Sequence, residues 1–328
     1  MTVRAPRGRS PLRVAIFSRA SDMHAHVVRE RLGRFDDVVC DFIAVDKIHE
    51  HPSMAWSSDG RRRGAVLPTV DGGRTVVVQE LDAIWWRRSP STQDTGAPVD
   101  DPDHRELIDN DCAAAVAGVT ATAFRGSWVS VPSRTRLAEN KIVQLCMARA
   151  CGLRVPRTLV TQDPAELRAF LRAVKAPVVV KALRGPLRTG VPTSPFPPEH
   201  LSRVEAIRAA PAIYQEYVSG SLHLRVHVFG RQILTASIES EELDWRGDLT
   251  VPFRRHRLPE DVGRKLRRVL AGLGLAMGVF DMKVAGNGEL VCKLCRERHK
   301  SHYSAWRFMP RRDPEALRHW QSRIEDAA

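Results

Sequence analysis

The sequence predicts an open α/β layer in its first third and a hairpin-rich α+β arrangement after it. Two sets of stretches carry that prediction. Residues 14–18 and 38–45 are apolar and β-branched, and a helix is expected between them, from the N-cap Ser21 to the stop Gly33. This is a strand–helix–strand start without the GxGxxG of a dinucleotide site. Further on, residues 214–240 place two alternating runs around Phe229-Gly230-Arg231. Residues 278–292 repeat the pattern around Gly286-Asn287-Gly288.

Composition narrows the partners. The 328 residues are 43% apolar and 27% charged, ordinary for a globular chain with room for more than one lobe. The net charge of +13 is not ordinary. It suits nucleotide phosphates, a Glu/Asp-rich peptide or nucleic acid, with an arginine-rich surface that binds nothing as the plain alternative. Nucleic acid has the least support, because no recognition helix or RNP-like motif is present. Six cysteines are too few for a disulfide framework and point to a reducing cytoplasm. No apolar run reaches signal-peptide or membrane-spanning length, so no membrane partner is expected.

Taken in order, residues 1–12 are rich in Pro, Gly and Arg and read as a disordered N-terminus. Short strands are expected at 65–67 and 75–78, then at 83–86, where Trp85-Trp86 run into Arg87-Arg88. Two arginines at a strand end suit an acidic peptide; tryptophans packing a core beside solvated arginines is the alternative. A helix follows over 105–119 and another over 137–151, the latter containing Asn140-Lys141. After a strand at 155–160, Asp163-Pro164-Ala165-Glu166 supplies an N-cap, a proline at N1 and an acid at N3 for a further helix. A strand at 178–181 ends on Lys181, and the Gly/Pro/Ser-rich stretch 183–198 reads as a loop able to close over phosphates. Val262, Leu266, Val269, Leu270 and Leu273 give a helix over 259–273 one apolar face, and a last helix is expected from Asp313.

These motifs in this order resemble the ATP-grasp superfamily, and within it the maturases of ribosomally made graspetide (microviridin-like) peptides. The resemblance rests on Trp85-Trp86-Arg87-Arg88, on Glu139-Asn140-Lys141 running into 152–158, and on Val180-Lys181. It rests further on Gln215-Glu216-Tyr217-Val218, Arg225-Val226, Asp244-Trp245-Arg246 and Gly278-Val279-Phe280-Asp281. It implies a pre-ATP-grasp α/β domain over 13–132, a two-lobed ATP-grasp module over 133–310 with its small lobe at about 150–220, and a C-terminal helix over 311–328. It implies that Lys141 and Lys181 hold ATP phosphates and that Glu216 and Val218 meet the adenine edge. By the same resemblance Arg225 and Arg246 face the transferred phosphate, Asp281 is a metal-binding carboxylate, and Arg87 and Arg88 bind substrate. The implied activity is activation of side-chain carboxylates of an acidic precursor peptide as acyl phosphates, for ester or amide closure. A homodimer or a partner ligase would complete the set of partners.

The last strand departs from that pattern. Where the family expects Glu and Asn as magnesium ligands, Leu294 and Arg296 stand. Neither offers an oxygen to a hard cation, which argues against Mg²⁺ at this site. Two readings follow: Lys293, Arg296 and Arg298 replace the metal charge, or the chain is a degenerate pseudoenzyme that binds precursor or a partner ligase without phosphoryl transfer. Cys292-x2-Cys295-x3-His299-x2-His302 has zinc-like residue types, but a continuous strand would turn the two cysteines to opposite faces.

Overall fold

The computed structural model describes residues 11–58, 65–87, 99–184, 191–243, 245 and 250–296. The chain divides into two compact units, residues 1–132 and 133–328. In the first unit, β1 (Leu12–Ser18) leads through α1 (Met23–Leu32) to β2 (Val38–Ala44). The short pair β3 (Val66–Pro68) and β4 (Thr75–Val77) precedes β5 (Ala83–Trp86), α2 (Pro102–Ala123) and β6 (Ser127–Val129). The main sheet has the order β2-β1-β5-β6 and every pairing in it is parallel. Such a sheet is covered on both faces, which is why β1, β2 and β5 read as nearly unbroken apolar runs. Its core includes Phe17, Ile43, Ile84 and Trp86, with Trp86 stacked on Phe17 at 5.3 Å and edge-on to Trp128 at 5.9 Å.

The N-cap of α1 is Asp22, one residue after the expected Ser21. Asp22 does more than cap. Its carboxylate accepts from the His24 amide (3.2 Å), the Ser18 hydroxyl (2.6 Å) and Arg87 Nε (2.7 Å). A buried anion with three donors outcompetes an exposed serine for the capping position. Helix α2 runs longer than the 105–119 pattern because Asp101 caps it and Pro102 stands at its first turn.

The second unit opens with α3 (Pro132–Ala138) and α4 (Lys141–Ala150), so the continuous helix expected over 137–151 is two. Asn140 breaks it by accepting from the Ile142 amide at 2.9 Å, an N-cap bond that competes with helix continuation. Then come β7 (Thr158–Thr161), α5 (Pro164–Ala173), β8 (Val178–Ala182), β9 (Ser194–Pro195), α6 (Val204–Ala209) and β10 (Ala212–Glu216). Strand β7 starts later than residue 155 because Pro156 has no N–H to donate to a ladder. Within 183–198, residues 185–190 lie outside the described residues; Ser194–Pro195 pairs with β8. These strands form an antiparallel sheet of order β7-β10-β8-β9.

The remaining elements are β11 (Leu222–Phe229), β12 (Gln232–Glu239), β13 (Phe253–His256), α7 (Glu260–Leu273), β14 (Met277–Val284) and β15 (Leu290–Arg296). They build an antiparallel sheet of order β13-β12-β11-β14-β15. Gly230, at φ +52°, makes the tight β11–β12 turn in a region that side chains with a Cβ rarely enter. Alternation decides the rest. Leu224, Val226, Val228, Phe280 and Met282 face one way and pack on Leu266, Val269 and Leu270 of α7. His223, Arg225, His227, Asp281 and Lys283 are thereby left for the opposite face. The final helix expected from Asp313 lies outside the described residues. Among the described residues no helix is long and apolar enough to cross a membrane.

The Asp22–Arg87 pair yields a stability prediction. Burial raises the Asp22 pKa, but the His24 bond, the Arg87 charge and the Ser18 bond outweigh it and hold the carboxyl well below the usual range. A depressed folded pKa contributes stability that is complete above the unfolded value of about 3.8 and is lost as pH falls below it. Asp22→Asn, which leaves Arg87 without its carboxylate, should cost about 3 kcal/mol in denaturant titrations at pH 7. The gap between wild type and variant should narrow below about pH 4.

Candidate functional site

Capping fixes the first functional side chain. Because Asn140 ends one helix and starts the next, Lys141 becomes the first residue of α4, whose first turn carries no acid. A cation at a helix N-terminus opposes the macrodipole, at a cost of roughly 0.3–1 kcal/mol, so the placement favours an anion over helix stability. The Lys141 ammonium donates to the backbone carbonyl of Ala182, at the end of β8. Lys181, next to it on β8, is 9% exposed and donates to Gln215 Oε1 at 2.5 Å. Gln215 Nε2 in turn donates to the Thr158 hydroxyl at 2.8 Å. The two lysines expected to act together therefore meet at one strand end, one held by a main-chain oxygen and one by an amide.

The segment after β10 crosses to the larger sheet. The Tyr217 amide donates to the Pro177 carbonyl at 2.8 Å, whereas Val218 makes no hydrogen bond among the described residues. The Glu216 carboxylate is engaged: it accepts from the Arg157 amide at 3.0 Å and lies 3.5 Å from Arg154. The Glu216 amide donates to the Arg157 carbonyl at 2.9 Å as well, so neither its side chain nor its N–H is open to a ligand. Arg154 also reaches Glu289 at 3.5 Å, and its carbonyl accepts from the Cys292 amide at 2.8 Å, so this arginine ties the crossing segment to β15.

The open face of the larger sheet holds the other candidates. Arg225 and Asp281 are direct cross-strand partners, and their side chains form an ion pair at 2.7 Å with Arg225 only 2% exposed. The Arg225 guanidinium also lies 5.9 Å from the ring of Trp245, itself packed edge-on to Phe253. Two residues along each strand, His223 stands opposite Lys283. Both are buried, and neither His223 Nε2 nor Lys283 Nζ has a hydrogen-bond partner among the described residues. The ammonium lies 5.0 Å from the Tyr217 ring, at the crossing segment. Burial, then the Lys293 and Lys283 charges, push the His223 imidazole down to about 4, keeping it neutral. Burial with the Lys293 charge pulls Lys283 down to about 8.

These two residues were not among the sequence candidates. The signal was a lysine inside an otherwise apolar strand and a histidine two positions before Arg225. Buried polar atoms without partners are rare in folded proteins, and here they sit beside the crossing segment, where a nucleoside with its hydroxyls and ring nitrogens would supply partners. The residues present fit a nucleotide.

Among the described residues they do not fit Mg²⁺. Asp281 is already neutralised by Arg225, Leu294 stands across from it, and Arg296 across from Val279. No group of three His, Cys, Asp or Glu able to hold a metal exists among the described residues. The strand is also not continuous: the register shifts between Asp281 and Met282, leaving Lys293 as the extra residue of a bulge. That shift corrects one expectation. Cys292 and Cys295 pair with Met282 and Phe280, positions of the same face, and Cys292 belongs to the apolar core. The histidines of the zinc-like pattern, with Arg88, Arg246, Glu297 and Arg298, lie outside the described residues. Arg87 is 8% exposed and bound to Asp22, a structural ion pair in the first unit.

The Arg225–Asp281 pair should behave as a unit. Asp281→Asn should destabilise by about 3 kcal/mol, because it removes the charge from one side of a buried ion pair, whereas the double change Arg225→Leu with Asp281→Leu should cost less than the two single changes added. Additive losses in a double-mutant cycle by chemical denaturation would show that the two side chains do not depend on each other.

No family model matches the chain, and no curated protein matches it. Solved structures do. Macrocyclase MdnC from Microcystis aeruginosa MRC, bound with precursor peptide MdnA, is 24% identical at a TM-score of 0.77, over 88% of this chain and 93% of that one. A RiPP-associated ATP-grasp ligase from Chryseobacterium gregarium, in complex with ADP and a leader and core peptide, is 20% identical at 0.76, over 88% and 90%. ATP-grasp ligase PsnB with a minimal precursor is 21% identical at 0.70, over 93% and 98%. At such identities the likeness speaks for the fold: this chain adopts the α/β and α+β architecture of the ATP-grasp ligases.

Proposed function

We propose that the protein is an ATP-dependent ligase of ribosomal-peptide maturation, which activates side-chain carboxylates of an acidic precursor peptide for ester or amide closure. One observation carries the reading: the ammonium groups of Lys141, from a helix start, and Lys181, from a strand, are both held on the β8–β10 pair, at the Ala182 carbonyl and the Gln215 amide. The solved structures of like fold are described with precursor peptides, which supports a peptide substrate. The +13 charge suits an acidic one. Five free cysteines among the described residues are in keeping with a cytoplasmic setting.

In this reading Lys141 and Lys181 hold phosphate oxygens as point charges, and the Glu216 carbonyl and the Val218 main chain meet the base. Lys283 and His223 take the nucleoside end. ATP supplies the phosphoryl group: a peptide carboxylate oxygen bonds to the γ-phosphorus as the bond to the β–γ bridging oxygen breaks, releasing ADP. A peptide hydroxyl or amine then bonds to the activated carbonyl carbon, phosphate leaves, and the attacking group's proton passes to solvent or phosphate. Arg225 contributes fixed positive charge on the face where phosphoryl oxygens carry the developing negative charge, and positioning does most of the remainder.

Binding of ATP to the folded state should raise the melting temperature in excess chelator, because a ligand that binds only the native protein stabilises it. Lys141→Ala or Lys181→Ala should abolish that shift, and a wild-type shift in both would remove the two lysines from the site. With nucleotide bound, incubation with an acidic precursor should show loss of one water per bond by mass spectrometry. Unchanged precursor mass despite a clear ATP shift would indicate binding without transfer. Lys283→Met, which removes a buried unpaired ammonium, should leave the ligand-free protein as stable or up to about 1 kcal/mol more stable while reducing its ATP shift.

A further inference from the structure

The second unit contains a cleft that none of these roles uses. It has a volume of about 800 Å³ and opens where the β11–β12 turn, the end of β13 and the start of α7 come together. Its walls are basic: Arg231, Arg255, Arg257, Arg264 and Arg267 all line it, with Glu260 as the one acidic residue among them. None of these five guanidinium groups makes a hydrogen bond or ion pair among the described residues. Thr235 also borders the cleft. It is 8% exposed, and its hydroxyl is buried without a partner.

Five unpaired guanidiniums in one cleft repel one another, and a buried hydroxyl without a partner adds a further cost. A ligand that supplies several acceptors relieves both. Guanidinium forks accept carboxylates and phosphates alike, so the remaining walls decide between them. Ile233, Leu234, Leu258 and Pro259 give an apolar floor that suits side-chain methylenes. No Phe, Tyr or Trp lines the cleft, and its only rings are the imidazoles of His227 and His256, so a single-stranded nucleic acid would find little of the aromatic platform such binders build. The volume and the number of arginines exceed what one phosphate ion needs.

We propose that this cleft binds an acidic polypeptide segment, its Asp or Glu carboxylates held by the arginines of β13 and α7. Ala236 is the cross-strand partner of both Arg225 and Arg255, so the cleft begins one strand away from the Arg225–Asp281 pair. A peptide anchored there would lie along the same sheet as the reacting face. The site needs no nucleotide, so it stands or falls separately from phosphoryl transfer.

The test is fluorescence anisotropy of a labelled poly-glutamate peptide with the full-length protein, in chelator and without nucleotide. Wild type should bind, more weakly as salt rises. Arg255→Glu with Arg257→Glu should lower the affinity by roughly tenfold or more. Arg255→Lys with Arg257→Lys should retain most of it, and the ATP-induced melting shift should survive in both, which shows that each variant is folded. Absence of binding by wild type, or equal affinity in the charge-reversed variant, would overturn the proposal. So would displacement of the peptide by a single-stranded oligonucleotide at lower concentration than by unlabelled poly-glutamate. Loss of self-association in the charge-reversed variant with peptide binding unchanged would instead give the cleft to a second copy of this chain.

Discussion

The buried pair of Arg225 and Asp281 organises the open face of the larger sheet. A guanidinium 2% exposed has few ways to exist there without a carboxylate, and Asp281 supplies it from the directly opposite strand position. Once Asp281 is committed to Arg225, it is a poorer ligand for a cation, and the register places Leu294, not a carboxylate, across from it. The face becomes basic as a result. Lys283 and the bulge residue Lys293 add positive charge next to it, and burial together with these neighbours holds His223 neutral.

The functional face and the apolar core are two sides of one alternation. Leu224, Val226 and Val228 must face α7, and the pleat then sends His223, Arg225 and His227 the other way. The chemistry of the open face is therefore positioned by hydrophobic packing on the hidden one. The same economy holds in the smaller sheet, where Lys181 is placed by a strand whose Val178 and Val180 pack against the helices. Lys141 is placed by a capping asparagine rather than by packing.

Much of this was legible in sequence because it depends on local rules. The α7 stripe of Val262, Leu266, Val269, Leu270 and Leu273 is buried throughout, and Asp163-Pro164 starts a helix where its capping chemistry requires. The glycine turns at Gly230 and Gly288 also follow from local backbone preference. What was misread involved competition between neighbours. Ser21 yielded the cap to Asp22 because Arg87, far along the chain, pairs with the aspartate. The run over 137–151 was split because Asn140 bonds its own backbone. Glu216 turned its carboxylate to Arg157 and Arg154.

The sequence alone determined the order of the longer strands and helices, the apolar face of α7, and the residue types offered for phosphate and carboxylate chemistry, but not the short elements β6, β9, α6 and β13. Period and capping are short-range properties, so they survive without coordinates. Only the tertiary structure decided which charges meet. The bulge at Lys293 keeps Leu294 opposite Asp281 while returning Cys292 and Cys295 to positions of one face. It also decided that Lys283 is buried without an acceptor, and that five dispersed arginines share one cleft. Those outcomes depend on strand register and on elements distant in the chain, and no local pattern encodes a pairing with a partner tens of residues away.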